Sequence, residues 1–497
     1  ALLLGTWFRL INKLLLGIFS DAVNSVKPKK LIKQHFHYDK NEDKLKLFTD
    51  VYNLKSRDVY LVGAGKAVLQ MATEIETALA GRLKLGIISI PTGIMERNPV
   101  GPNTVIKCYE GAENNIPDEK SEHATDQIKY LVEKLDEKSL LIVLLSGGGS
   151  ALLTSAIPPV SLGEKSQLIK ELSKAGADIV QMNIVRKRLS SIKGGKLSEL
   201  AYPAQVVSLL LSDIVGNNTQ SIASGPTFKN EDEPSAAIDV VKKYSLQSSL
   251  PDSIRDVLYS NTSKIVSKHS NVSNYVLGNN TGSLEVARIR ASSEGFNTFV
   301  LTDQVHGDVE DVSKEYCLLV STIIKLLSKS INKDTAKSIM KNLVNIPFND
   351  NVLKSLPEVV MSPGSNGICL IAGGEPTVLV KGLGKGGRNQ HLALSFSYFF
   401  HLENSKSDAS KKVDVLLLSA GTDGMDGPTD AAGAIGYNNL INDAQSQNLS
   451  VESYLLNNDS YNFFDKFSNG KYHIKIGHTN TNVMDVHIIV IKPKTHL

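Results

Sequence analysis

Apolar positions along the chain fall into short aliphatic runs, separated by longer stretches in which they recur at helical spacing. In the first half, 59–62, 86–90, 140–145 and 206–211 are apolar at nearly every position. Such runs predict strands buried on both faces. Between them, 67–80, 119–135 and 165–175 read as helices. Strand, glycine turn, helix, strand is the order expected of a parallel α/β sheet.

The order restarts in the second half. Segments 273–277, 297–301, 368–371, 377–380, 413–418 and 487–491 predict strands, and 283–293 and 313–327 predict helices. A polar, Ser-rich stretch at 242–270 separates the halves and places a boundary near residue 265, giving expected domains 1–265 and 266–497. Segment 330–367 is rich in Asn and Pro without a strong strand, and reads as an insertion within the second half. No fixed period points to a repeat protein.

Leu15, Ile18, Phe19 and Val23 recur at helical spacing, so the chain is expected to open with an amphipathic helix. Arg9 and Lys13 interrupt the apolar start, and no stretch reaches the ~20 residues that a membrane-spanning helix needs. Both charges before Asp21 are basic, as in a mitochondrial targeting segment. The first residue is Ala, not Met, so a targeting segment and a truncated start both stand as expectations beside a packed helix.

A length of 497 residues suits roughly two to four domains of about 150 residues. Lys and Arg total 54 against 51 Asp and Glu, a net charge of +3. That balance excludes a polycation working on nucleic acid and an acidic solvating tail. Cys108, Cys317 and Cys369 form no CxxC pair, so neither a disulfide framework nor a thiolate metal site is expected. A reducing compartment follows: the cytoplasm, with the mitochondrial matrix as the alternative.

Candidate chemistry gathers in glycine-rich loops. The strand 59–62 runs into Gly63-Ala64-Gly65-Lys66. Glycines let backbone approach a ligand, a helix N-terminus attracts anions, and Lys66 adds a point charge. The GxxxxGK[ST] spacing is missing, Val68 stands at the third glycine position of a dinucleotide turn, and the next strand ends at Ile90-Pro91-Thr92 without an acidic residue. A plain strand-to-helix turn would look the same. Ser146-Gly147-Gly148-Gly149-Ser150 is the stronger signal: three glycines free several N–H groups to form an anion nest flanked by hydroxyls.

The basic cluster Arg186, Lys187, Arg188, Lys193 and Lys196 follows, and then Asp213, just past the strand 206–211. A carboxylate there suits Mg²⁺, a proton or a helix cap equally. In the second half, Gly373-Gly374-Glu375 precedes a loop with Lys381, Lys385, Gly386, Gly387, Arg388 and Asn389. A guanidinium beside a glycine loop suits bidentate phosphate contacts. The strand 413–418 then runs into a turn holding Asp423, Asp426 and Asp430, without the spacing of an EF-hand.

In chain order, LVGAGKA, LLSGGGSALL, KGGKL, SDIVGN with ASGPT, GGEPTV, GKGGRNQ, SAGTDGMDGPTDAAGA and TNTNVMD resemble the class II glycerate kinases, the family whose C-terminal part is the MOFRL domain. The resemblance runs from about residue 14 to the end. It implies an α/β fold of two Rossmann-like domains with a cleft between them. It implies ATP-dependent phosphorylation of D-glycerate with Mg²⁺, giving 2-phosphoglycerate in most members, with 3-phosphoglycerate left open by the sequence. It also implies catalytic roles for Lys66 and Arg388, whose motifs are intact.

On that reading the phosphates of ATP meet Gly63, Gly65, Ser146, Gly147, Gly148, Gly149, Ser150, Gly386 and Gly387. Arg188, Lys193 and Asn389 are the candidates for holding glycerate. Asp213 and Asp423 divide the roles of proton acceptor and metal anchor in an unresolved way. The partners are a nucleotide and a small acid, with no nucleic acid and no membrane span, on a monomer or homodimer.

Some motifs depart from the family pattern. Asn114-Asn115-Ile116-Pro117-Asp118 lacks the usual histidine, Gly477-His478-Thr479-Asn480-Thr481-Asn482 replaces GPTGTN, and Asn217 and Asn218 stand where many members have an acidic residue. Two other functions compete: an NAD(P)-dependent hydroxypyruvate reductase and a non-catalytic sugar-phosphate sensor. The incomplete dinucleotide turn weighs against the first. Arg388 and the carboxylates of the second domain weigh against the second.

Overall fold

The computed structural model describes residues 2–214, 216, 219–260, 271–360, 366–404 and 407–494. The chain divides into two units, Pro28–Gly278 and Ala1–Lys27 with Asn279–Leu497. Both are α/β.

Pro28–Gly278 begins with a small antiparallel sheet of β1 (Phe36–Asp39), β2 (Lys44–Leu47) and β3 (Asp50–Asn53). Sequence patterning does not predict it, because its strands are four residues long and mostly polar. Its main sheet contains β4 (Asp58–Ala64), β5 (Leu83–Pro91), β6 (Ile106–Gly111), β7 (Ser139–Leu145), β8 (Gln205–Leu211) and β9 (Val272–Gly278). All neighbours are parallel, in the order β6-β5-β4-β7-β8-β9. Counted within the sheet this is 3-2-1-4-5-6, the order of doubly wound dinucleotide-binding sheets. Every residue of β7 is buried, as its unbroken apolar run requires. The chain direction across the sheet reverses between β4 and β7, and ligands of such sheets bind beyond the strand ends at that point.

The expected boundary near residue 265 falls outside the described residues, and the division it implies is corrected on both sides. β9 was expected to open the second domain, but it is the edge strand of the first sheet, paired parallel with β8. The first helix, Leu2–Ser25, belongs with the C-terminal unit. Its residues Ile11, Leu15, Ile18, Phe19, Ala22 and Val23 are buried in the same core as Leu284, Ala287 and Ala291 of the helix Asn280–Ser293. Composition locates polar stretches. Strand pairing and the direction of an apolar stripe decide which core a segment joins.

The second unit has one sheet of β10 (Asn297–Val305), β11 (Ile368–Gly374), β12 (Val413–Gly421), β13 (Gly433–Tyr437), β14 (His473–Ile474) and β15 (Asp485–Pro493), in the order β10-β11-β15-β12-β13-β14. Only β10 and β11 are parallel; β15 lies between β11 and β12, antiparallel to both. The second sheet is thus mixed where the first is all-parallel, within the expected α/β fold. An apolar run buried on both faces reads the same in either direction, so hydrophobicity carries no information about strand polarity. Alternate residues of β15 enter two cores: Val486, Ile488 and Val490 in one, Ile489 and Ile491 in the other.

Segment 377–380 is not a strand. Thr377 makes a single bridge to Asp308, and Leu379 and Val380 are 63% and 68% exposed. The polar stretch 330–367 contains the helices Lys333–Lys341 and Asp350–Val360, which bury Ala336, Met340 and Leu356 against the core. No helix among the described residues is long and apolar enough to cross a membrane.

Candidate active site

The two glycine loops of the first unit meet where the strand order reverses. β4 delivers Gly63-Ala64-Gly65-Lys66, and β7 delivers Ser146-Gly147-Gly148-Gly149-Ser150. The Lys66 amide donates to the Gly147 carbonyl at 2.8 Å, the Ala67 amide to Ser146 Oγ at 3.1 Å, and the Ser146 amide to the Ala64 carbonyl at 3.3 Å. Gly65 has φ +147°, and a Cβ there would collide with Ser146, including its carbonyl at 2.8 Å. Only glycine permits this approach. Gly63 packs as tightly on Leu144.

This zipper leaves donors free. The amides of Gly147 and Gly148 make no hydrogen bond to other described residues, and Gly148 is held at φ +79°. The half-buried Lys66 side chain passes beside Gly148, whose absent Cβ would lie 3.4 Å from Lys66 Cγ, and it forms no ion pair among the described residues. Asn115 reaches the same place, with Oδ1 3.2 Å from that Cβ position. Its neighbour Asp118 caps the helix Glu119–Val132, which accounts for the Pro-Asp part of the motif. Ser150 Oγ lies 3.0 Å from Ser224 Oγ. Ser224 Oγ donates to Asn183 Oδ1 at 3.1 Å, and Arg186 Nη1 donates to the same oxygen at 3.1 Å. The result is a nest of free amides with a lysine on one side and a polar wall on the other.

Two expected substrate residues are otherwise engaged. Lys193 is buried, with its Nζ donating to the carbonyls of Ser150 at 2.9 Å, Leu153 at 2.7 Å and Ala223 at 3.4 Å. All three of its donors brace the loop, so it has none for glycerate. Arg188 Nη2 donates to the carbonyls of Val257 and Ser260 at 2.7 and 2.8 Å, closing the end of the helix Asp252–Tyr259. Lys193 is thereby corrected to a brace of the loop, and Arg188 holds the end of that helix through Nη2. Unsatisfied carbonyls at helix ends compete for cations, and spacing along the sequence does not reveal them.

In the second unit the helix Arg388–Asn404 starts straight after the glycine loop. Asp426 caps it from a distant turn, accepting from the amides of Asn389 at 2.9 Å and Gln390 at 2.8 Å. Gly387 is a glycine because a Cβ there would strike Asp426. Burial pushes the Asp426 carboxyl up to about 6, against the pull of these amide bonds. Asn389, expected to bind substrate, is buried between Asp426 and Ser419, which donates to its Oδ1 at 2.6 Å. It is corrected to a packing residue.

Arg388 is clasped by a residue that sequence reasoning missed. Its Nε donates to Asp485 Oδ2 at 2.6 Å and its Nη2 to Asp485 Oδ1 at 2.9 Å, with Glu375 Oε1 3.2 Å away. Burial opposes the charge, but these carboxylates outweigh it and raise the guanidinium pKa above its usual value. Arg388 Nη1 makes no hydrogen bond to another described residue. The signal for Asp485 was its place at the end of the TNTNVMD motif, as the one carboxylate of β15.

The loop before Arg388 is not an open nest over its whole length. The amides of Lys381, Gly382, Leu383, Gly384 and Lys385 are taken by the turn Asn457, Asn458 and Asp459. Those of Gly386 and Gly387 make no hydrogen bond to other described residues.

Asp213 lies half-buried just beyond β8 and is engaged by a partner, while Asp423 Oδ1 accepts from the Met425 amide at 3.0 Å. The two belong to different units. No group of three or more His, Cys, Asp or Glu able to hold a metal occurs among the described residues. A cavity of about 600 Å³ opens where the helix Arg388–Asn404 ends, lined by Asn404, Asp414, Tyr437 and Asp443, and it touches none of the glycine loops.

The chain is similar to known proteins. A family model described as a domain of unknown function (DUF4147) matches residues 14–259, and the MOFRL family model matches residues 368–485. The glycerate kinase of Rattus norvegicus is 39% identical over 490 residues, covering 96% of this chain and 92% of that protein. The D-glycerate 2-kinase of Thermotoga maritima is 33% identical over 481 residues, covering 97% and 98%. The crystal structure of glycerate kinase from Thermotoga maritima superimposes with a TM-score of 0.75 at 30% identity, covering 97% of this chain and all of that one.

Proposed function

The chain belongs to the glycerate kinase family, and we propose that it transfers the γ-phosphoryl group of ATP to the 2-hydroxyl of D-glycerate, giving 2-phosphoglycerate. The observation that carries this reading is similarity to glycerate kinases over nearly the whole chain, with the Lys66 and Arg388 loops both built.

Phosphoryl transfer depends on positioning and charge neutralisation more than on covalent help. The amides of Gly147 and Gly148 take phosphate oxygens, and the Lys66 ammonium, which forms no ion pair among the described residues, neutralises the transferring group. Arg388, held rigid by Asp485, offers Nη1 to a phosphate oxygen, and the amides of Gly386 and Gly387 add donors beside it. Asp213 is positioned at a strand end, suited to accept the hydroxyl proton.

Asp213 and Asp423 have the hard oxygen chemistry that Mg²⁺ prefers, and one or two carboxylates suffice when phosphates supply other ligands. Either would hold the ion, which when bound spreads the negative charge of the phosphates. All three cysteines are free thiols, which supports a reducing compartment, the cytoplasm or the mitochondrial matrix.

Phosphorus NMR of the product formed from D-glycerate and MgATP tests the reading. A 2-phosphoglycerate resonance is expected. 3-Phosphoglycerate would move the chemistry to the other hydroxyl, and absence of any phosphoester would end the proposal. Oxidation of NADH by hydroxypyruvate would favour the reductase instead.

A further inference from the structure

Lys165, Arg186, Lys193 and Lys196 crowd together beside the Ser146–Ser150 loop, and none forms an ion pair among the described residues. Lys165 comes from the first turns of the helix Leu162–Lys174, and Arg186 from the last turn of its neighbour Ile179–Arg188. The carboxylates of Glu122 and Glu199 favour the charges of Lys165 and Lys196 through space. Burial first, and neighbouring cations second, lower Lys165 and Lys196 to about 8 and Lys193 well below its usual range.

Two of these cations have structural employment. Lys193 serves three carbonyls, and Lys196 Nζ serves those of Lys187, at 2.9 Å, and Ser190. The other two do not. Lys165 is 5% exposed, and its Nζ is sealed from solvent with no hydrogen-bond partner. Among the described residues Arg186 makes one hydrogen bond, to Asn183, and it is half-buried. A buried charge without a partner is strongly unfavourable, and a bound anion relieves it. The hydrogen-bonded series Arg186, Asn183, Ser224, Ser150 leads from this cluster directly to the phosphate nest.

We propose that Arg186, backed by Lys165, receives the carboxylate of the acceptor, so that the enzyme selects hydroxy acids over uncharged alcohols. This rests on the kinase reading above. A guanidinium fork matches a planar carboxylate in two parallel bonds. Phosphates already have Lys66 and the free amides. The previously expected carboxylate partners, Arg188 and Lys193, are committed to carbonyls.

Steady-state kinetics of Arg186→Gln, Arg186→Lys and Lys165→Met, with D-glycerate and with glycerol as an uncharged acceptor, test the assignment. Losing a desolvated charge-assisted contact should raise KM for D-glycerate about 30-fold or more in Arg186→Gln. KM for ATP should stay within about twofold, Arg186→Lys should recover part of the loss, and the preference for glycerate over glycerol should collapse.

Lys165→Met gives an independent signature. It should weaken D-glycerate and at the same time raise the melting temperature of the ligand-free protein, because an unpaired buried charge is gone. It serves as the test should Arg186→Gln fail to fold. An unchanged KM for glycerate with normal wild-type activity overturns the proposal alone. A rise in KM for ATP instead assigns the anion site to the nucleotide and also overturns it. If wild-type enzyme forms no phosphoglycerate, the kinase reading and this proposal fall together.

Discussion

The Arg388 guanidinium rests on the Asp485 carboxylate through two parallel bonds of 2.6 and 2.9 Å. Asp485 is fully buried, and its register partners on β11 and β12 are Gly374 and Gly421, which leave space for the clasp. An arginine held this way presents its remaining nitrogen in one orientation.

Asp485→Asn keeps the shape and removes the charge. It should cost about 3 kcal/mol in chemical denaturation, because breaking a buried pair strands its partner, and should also lower kcat. Glu375→Gln should cost less than about 1 kcal/mol, since that carboxylate is 46% exposed. Wild-type turnover and stability in Asp485→Asn would show that Arg388 is positioned by something else.

Lys66→Ala and Arg388→Ala should each lower kcat by about 10² or more, the effect of losing one charge contact made in the transition state. Release of ADP with D-glycerate as acceptor is the measurement. Near-normal turnover in either variant removes that residue from the mechanism.

Gly65→Ala places a methyl against Ser146 at a backbone angle that side chains rarely adopt. A loss of roughly 2 kcal/mol or more is expected from overpacking and strain together. Gly17→Ala is the opposite case. It sits inside the helix Leu2–Ser25 with open space around it, and should gain about 0.5–1 kcal/mol from helix propensity. Paired melting curves would compare the two.

Stability should depend on pH through Lys165. Its folded pKa of about 8 lies below the unfolded value near 10.4. Below pH 8 both states carry the proton and the burial penalty is felt in full. From pH 8 to about 10.5 the unfolded state binds more protons, so stability rises with pH, by up to about 3 kcal/mol. Lys165→Met should flatten that rise, leaving the part due to Lys196, which also titrates near 8. Equal slopes in the two proteins would contradict the burial of an unpaired ammonium.

Much of this was legible beforehand. The runs at 59–62, 140–145 and 206–211 became β4, β7 and β8 nearly unaltered, because an unbroken aliphatic run has few ways to hide except a central strand. The helical spacing of Leu15, Ile18, Phe19 and Val23 correctly marked a buried stripe. β1–β3 escaped notice, since short polar strands carry almost no periodic signal. Segment 377–380 misled, because Val and Leu in an exposed loop imitate a strand.

For the site, the residue order was enough to mark the glycine loops, Lys66 and Arg388, and to place the chain among glycerate kinases. Those features are local: a glycine where backbone must approach backbone, a cation beside it, each readable within ten residues. Which polar groups are spoken for was decided only in three dimensions. Asp485 reaches Arg388 across 97 residues of chain because β15 inserts between β11 and β12. Lys193 Nζ is taken by three carbonyls and Arg188 Nη2 by two, whereas Arg186, two residues before Arg188, makes one hydrogen bond among the described residues, to Asn183. Hydrogen-bond partners are chosen by strand order and burial, neither of which is written in the spacing of residues along the chain.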